Sequence, residues 1–410
     1  MAGKKKTPQI RIDGFTKDWN EGLLNQYLET SLGKNLDEVF SREDVLSVSG
    51  DYGVVNQIEF QGRSFAGASV ANYGVVRTGD VVYTKSPLKE NPYGIIKTNT
   101  GKPGIVSTLY AIYHPLETTY PEFVQWYFEN NDRLNRYLNP LVNKGAKNDM
   151  KVSSDNALLG TVVFPEYDEQ EAISNVLSSI QNMILQYETK LCKLHTFRES
   201  MLDKMFPKDG ADVPEIRFKG FEKPWKTIHL KDIATEINRT DKTSNAPIMM
   251  ITAANGFIDQ SDRYSFNNAG QSLAKYIVLK KGELAYNHGA SKLRPYGSCF
   301  ALDVDEARIP YVYHCFAISD HNPYFVSRVL NNKETEKQLR KLVTSGARMD
   351  GLLNISYEEY TTVSIQLPEK DEQDRIADYF RSLETLIVLC QQELDKLQSL
   401  KKGLLEKMFV

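Results

Sequence analysis

Side chains able to do covalent chemistry are present in this 410-residue chain but are never gathered. The six histidines, His114, His195, His229, His288, His314 and His321, have no Ser, Cys or Asp partner at a spacing that would make an activated nucleophile. The four cysteines, Cys192, Cys299, Cys315 and Cys390, form no CxxC pair and share no zinc-ligand spacing with histidine, so they read as reduced structural thiols and no metal site is expected. A GxxxxGK[ST] phosphate loop, HExxH, GxSxG and a properly followed GxGxxG are all missing, and no catalytic residue is expected. What does recur is a local surplus of cations among tyrosines and asparagines. Residues 83–104 carry Lys85, Lys89, Lys97 and Lys102 against Glu90, and 133–151 carry five basic residues against Asp149. Residues 275–296 carry Lys275, Lys280, Lys281, Lys292 and Arg294 against Glu283. Lys and Arg neutralise phosphates, while Arg, Asn and Ser read base edges, so the chemistry on offer is nucleic-acid contact rather than catalysis. The net charge of −3 argues against indiscriminate coating of nucleic acid, although an average can hide basic faces.

These clusters fall at matching places because the chain is written twice. "PQIRIDGFTKDW" at 8–19 returns as "PEIRFKGFEKPW" at 214–225, identical at seven of twelve positions. Gly79-Asp80-Val81 answers Gly282-Glu283-Leu284, Pro92-Tyr93-Gly94 answers Pro295-Tyr296-Gly297, and "FPEYDEQEAI" at 164–173 answers "LPEKDEQDRI" at 367–376, each 203 residues on. Both halves close on "LDKMF" or "LEKMF". Each half is thus a diverged block followed by a preserved helical block.

In the helical blocks the Pro-acidic-Gln motif reads as a helix start, with carboxylates supplied where backbone N–H groups lack partners. Apolar residues then recur at steps of four and three: Ile173, Leu177, Ile180, Ile184, Tyr187, Leu191 and Leu194 in the first copy, and Ile376, Phe380, Leu383, Ile387, Cys390, Leu394 and Leu397 in the second. Both rows are coiled-coil seams, and one seam per half makes mutual pairing the simplest arrangement. Arg198 and Lys401 interrupt the rows, and the seam is expected to shift by one position onto Phe197 and Leu400. A 38-residue helix from Glu169 to Phe206 would be about 57 Å long.

The diverged blocks, roughly 20–165 and 226–368, carry β-branched and aromatic runs such as "DVVY", "GIVSTLYAIY", "YIVLKKGELAY" and "VYHCFAI", with helical spacing in "PEFVQWYFENNDRLNRYL" and "PYFVSRVLNNKETEKQLRKLV". Each reads as a compact α+β domain. "NPYG" at 91–94 is faintly similar to the Asn-Pro-Pro-Tyr motif of adenine methyltransferases, but it lacks the second proline and its counterpart is "RPYG", so it reads as a proline turn. No apolar run spans a bilayer and the N-terminal residues lack the apolar stretch of a signal peptide, so a soluble, cytoplasmic protein is expected.

The order of motifs, with "RxxGFxxxW" opening each half and "PExDEQxxI" leading into each helix, resembles the specificity (S, HsdS) subunit of Type I restriction–modification systems over nearly the whole chain. The resemblance implies two target-recognition domains at 1–166 and 208–369, each reading one half of a bipartite, asymmetric site in double-stranded DNA. The helices at 167–207 and 370–410 would pair as an antiparallel coiled coil that spaces the domains. It further implies two methyltransferase (M) subunits and restriction/translocase (R) subunits as partners, with S-adenosylmethionine, ATP and Mg2+ belonging to those partners. Lys85, Ser86, Lys97, Lys144 and Lys147 would lie in DNA-facing loops of the first domain, and Asn287, Ser291, Lys292, Arg294 and Arg348 in those of the second. A Type IIB-like specificity subunit would share this architecture, and a self-contained methyltransferase or nuclease is disfavoured by the missing motifs.

Overall fold

A computed structural model describes residues 7–67, 69–85, 88–142, 152–208, 210–262, 270–343 and 353–410. Two compact units emerge: Met1–Thr189 together with Gln391–Val410, and Lys190–Cys390. The boundary falls in the middle of the two long helices, Tyr167–Lys204 and Lys370–Lys407, each of 38 residues. The start of the first helix therefore shares a unit with the end of the second, and conversely, so the pair is antiparallel.

In the first unit a four-stranded antiparallel sheet has the order Leu28–Thr30, Tyr110–Pro115, Val81–Thr84, Ile95–Thr98. Successive side chains of a strand point to opposite faces. Val81 and Tyr83 accordingly join the main core under the helices, while Val82 joins a second cluster with Leu46, Val76, Val106 and Ile112. Every residue of Val81–Thr84 is buried for that reason. The second unit repeats the order with Ala234–Glu236, His314–Ile318, Leu284–Asn287 and Ser298–Ala301. There Leu284 and Tyr286 face the main core and Ala285 the smaller one.

Each stretch of helical spacing late in a block is two helices. Asn130 accepts from the Arg133 amide and caps Asn131–Leu138 after Pro121–Phe128; Asn332 accepts from the Thr335 amide and caps Lys333–Leu342 after Pro323–Leu330.

The first and last strands of each block pair antiparallel, Asn20–Leu23 with Thr161–Phe164 and Lys226–His229 with Ser364–Leu367. That pairing brings the opening marker beside the helix start. Glu169 receives both Nε and Nη2 of Arg11 at 2.7 Å, and Trp19 Nε1 donates to it at 3.3 Å. Glu372 receives Arg217 in the same two-pronged way. Gln170 Oε1 accepts from the Tyr120 amide and its Nε2 donates to the carbonyls of Thr118 and Pro165; Gln373 likewise takes the Asn322 amide and donates to Pro368. The repeated Glu-Gln is a fully buried clamp between marker, helix and sheet, a stronger role than the helix-start signal read from sequence.

Burial along the seam rows is uneven. Ile173, Leu177, Ile180 and Ile184 are buried, as are Ile376, Phe380, Leu383, Ile387, Cys390 and Leu394, whereas Leu191, Leu194 and Leu397 are half-buried. The earliest members pack into their own domain's core as well as on the other helix: Ile173 and Leu177 lie with Phe123, Phe164, Leu405, Met408 and Phe409, and Ile376 and Phe380 with Met205, Phe206 and Phe325. Phe197 and Leu400 are 47% and 50% exposed, so the seam does not shift onto them. Lys401 breaks the row because it reaches sideways to Glu129. The closing "KMF" of each helix plugs the core of the opposite half's domain: Phe409 packs 5.6 Å from Phe123, and Phe206 5.6 Å from Phe325.

Candidate nucleic-acid interface

The repeated Pro-Tyr-Gly closes the hairpin after the central strand. Gly94 and Gly297 have φ of +90° and +85°, and a Cβ there would lie 1.8 Å from the Thr84 carbonyl oxygen or 2.6 Å from that of Asn287. Only glycine fits such a crossing. Tyr83 and Tyr286 donate their hydroxyls to the carbonyls of Tyr93 and Tyr296, at 2.5 and 2.6 Å, fixing the far side of each turn. At the tip Leu88 N–H donates to Asn91 O and Ser291 N–H to Arg294 O, both at 3.0 Å. Two hairpins of one build thus carry different side chains, and "NPYG" is the turn that holds one of them.

Of the residues assigned to DNA-facing loops, Asn287, Ser291, Lys292 and Arg294 come together on the second hairpin, and Lys85 enters the first. Ser86, Lys144, Lys147 and Arg348 lie outside the described residues. Lys85 donates to Ser154 Oγ at 3.2 Å. Asn287 spends its amide within the fold, accepting from Gly289 N–H at 2.9 Å and donating to Ile251 O at 3.2 Å. Ser291 Oγ accepts from the Arg294 amide, and Arg294 Nη1 donates to Asn331 O at 2.5 Å, anchoring the hairpin to the helix corner. Lys292 is exposed. The tip residues that nothing in the sequence singled out are Leu88 and Leu293, both exposed, and Lys89, counted in the basic run but not assigned to a DNA-facing loop, is exposed beside Leu88. The signal for Lys89 was positional, as it stands 203 residues before Lys292; the two leucines do not correspond in this way.

Lys97 is corrected. It is 7% exposed, on the buried strand Ile95–Thr98, and its ammonium pairs with Glu129 at 2.5 Å. Lys401 closes the other side of that carboxylate at 2.8 Å and lies 5.2 Å from the centre of the Trp126 ring. Burial opposes ionisation of Glu129, but the two lysines outweigh it and its pKa is lowered. A lowered folded-state value means that the carboxylate's stabilisation is complete above the ordinary glutamate range of about 4.3 and is lost as pH falls through the depressed value. Melting curves from pH 7 to pH 3 are therefore expected to fall less steeply for Glu129→Gln than for the wild type; equal slopes would show that this triad contributes nothing in acid.

The other landmarks are structural too. Asp80 is buried, accepts from the Arg77 amide at 2.6 Å and pairs with His114 Nδ1 at 2.6 Å; Glu283 accepts from the Lys280 amide and from Arg239. His288 Nδ1 and His314 Nε2 donate to the carbonyls of Leu353 and Ile355, while His321 accepts from Gln373 and has its pKa lowered by burial. Burial pushes Cys299 up to about 12, and none of the four cysteines is in a disulfide. Among the described residues no group of three or more His, Cys, Asp or Glu could hold a metal ion, and no helix is long and apolar enough to cross a membrane. A cleft of about 690 Å3 in the first unit, lined by Tyr52, Asp132, Gln181, Glu188, Lys402 and Glu406 among others, includes none of the assigned DNA contacts.

No protein-family model matches this sequence, and neither does any curated protein. Solved structures do. The S subunit of a Type I restriction–modification system from M. genitalium superposes with a TM-score of 0.60 at 12% identity, over 98% of this chain and 99% of that one. The HsdS subunit from Thermoanaerobacter tengcongensis matches at 0.42 and 16% identity over 95% and 96% of the two chains. A chain from a structural study of complex assembly and conformational transition of the type I R-M system matches at 0.41 and 14% over 95% and 97%. The first of these defines the fold: two sheet-bearing domains and a pair of long helices, as in Type I restriction–modification S subunits.

Proposed function

We propose that this chain is the DNA-specificity subunit of a Type I restriction–modification complex. The observation that carries the reading is the end-to-end match to an S subunit, joined to what the duplication has kept and what it has let drift. The Arg-Glu-Gln clamps and the Lys-Met-Phe plugs recur in both halves, whereas the hairpin tips differ. Each domain then reads its own half of a bipartite duplex site, and unlike tips give an asymmetric site. The helices dock methyltransferase subunits, and two similar halves offer that partner two equivalent surfaces. Catalysis, with S-adenosylmethionine, ATP and Mg2+, belongs to the methyltransferase and motor-nuclease partners.

The test uses the helix pair as a ruler. Four residues inserted after Glu188 add about 6 Å of helix and a rotation of only about 40°, which keeps the seam engaged. With about 3.4 Å per base pair, sequencing of methylated host DNA is expected to show both half-sites unchanged and the unread spacer longer by one or two base pairs. An active complex with an unaltered spacer would refute the ruler, and loss of all dependence of methylation on this chain would refute the function.

A further inference from the structure

The two hairpin tips share more than a turn. Each presents an exposed lysine at the second position, Lys89 and Lys292, and one exposed leucine beside it, Leu88 at 45% and Leu293 at 63%. An exposed leucine alone is ordinary. These two stand on mounts that are tied down from behind, by Asn135 donating to Glu90 O at 2.9 Å in one domain and by Arg294 donating to Asn331 O in the other. The major groove of B-DNA, about 12 Å wide, admits protruding elements as broad as an α-helix, and the apolar feature displayed there is the 5-methyl group of thymine.

We propose that Leu293, and Leu88 at the same turn of the first domain, read the 5-methyl edge of a thymine in the major groove, each beside a lysine that takes a backbone phosphate. The inference rests on the DNA-reading function above. It assigns one T·A position in each half-site to one leucine. The leucine sits at the first position of one turn and the third of the other, so the two tips read at different offsets from their lysines.

The complex of this chain with its methyltransferase subunits provides the test. Leu293→Ala, at an exposed position, is expected to keep the melting temperature and to relax one T·A position of one half of the methylated motif; Leu88→Ala relaxes one in the other half. Lys292→Ala weakens all sequences alike and lowers the salt slope by about one. On a duplex carrying the motif with that thymine replaced by uracil, the wild type loses about fourfold in affinity, the worth of one buried methyl group, and Leu293→Ala loses nothing further. Sequence-specific binding with an unchanged motif and an equal uracil penalty in the variant overturns this assignment alone, as does relaxation at a G·C pair. A complex with no sequence preference overturns the DNA-reading function and the assignment with it.

Discussion

Leu177→Asp is expected to unfold the first unit. Leu177 is fully buried at the meeting of the first long helix, the Phe123–Phe164 aromatic cluster and the plug formed by Met408 and Phe409. Shortening a buried leucine costs about 2–5 kcal/mol in lost packing, and a carboxylate left there without a partner costs more or takes up a proton. Whole domains are stable by only about 5–15 kcal/mol, so a loss above about 5 kcal/mol removes the folded state. Phe380 is the equivalent residue of the second unit, and Phe380→Asp should do there what Leu177→Asp does in the first. Circular dichroism melts on the purified variants are the measurement. Leu177→Met, which keeps the volume, should cost under about 1.5 kcal/mol and serves as the control. A Leu177→Asp protein that melts like the wild type would mean that the helix start is not part of the core.

The second large effect is asymmetric within one ion pair. Glu372 is 1% exposed and accepts both prongs of Arg217, whose Nη2 also donates to Lys223 O. Arg217→Ala strands a buried carboxylate and is expected to cost about 3–5 kcal/mol. Glu372→Ala leaves a guanidinium that lies closer to solvent and keeps its carbonyl partner, so its cost should be about 1–3 kcal/mol. Denaturant titrations of both single variants and the double variant check this. The double variant should be less damaged than the sum, because the second substitution removes the group that the first left unpaired. Equal costs for the two single variants would contradict the burial difference.

Much of this fold is legible in the sequence because its signals are local and repeated. The 38-residue helices show as apolar rows, the hairpins as Pro-Tyr-Gly, and the two-domain plan as a marker that returns. The misread cations have one cause in common: composition counts charges without saying which way they point. Lys97 belongs to a basic run, yet as the third residue of a buried strand it turns to Glu129, 32 residues away in sequence, and to the neighbourhood of Lys401. Arg294 was expected at the DNA surface, but its guanidinium is half spent on Asn331. The Arg-Glu clamp was visible as two recurring residues, but only the pairing of the first and last strands of each block makes them neighbours. Phe197 and Leu400 mislead because a heptad row assumes a continuous partner, whereas beyond that point each helix turns its attention to a domain.

The crosswise plugs are each accompanied by the same backbone contact. The amide of Ile10 donates to Lys407 O at 3.0 Å, just as the amide of Ile216 donates to Lys204 O at 2.9 Å. In the second case the peptide chain runs on from Lys204 to Ile216; in the first the same hydrogen bond spans residues nearly four hundred apart. Each unit therefore closes on the same backbone contact between the end of a long helix and an opening marker, made by consecutive segments of chain in one unit and by distant ones in the other. A variant with a short tether joining Lys407 to Ile10 and new ends between Phe206 and Pro214 is expected to keep both contacts and to melt as the wild type does.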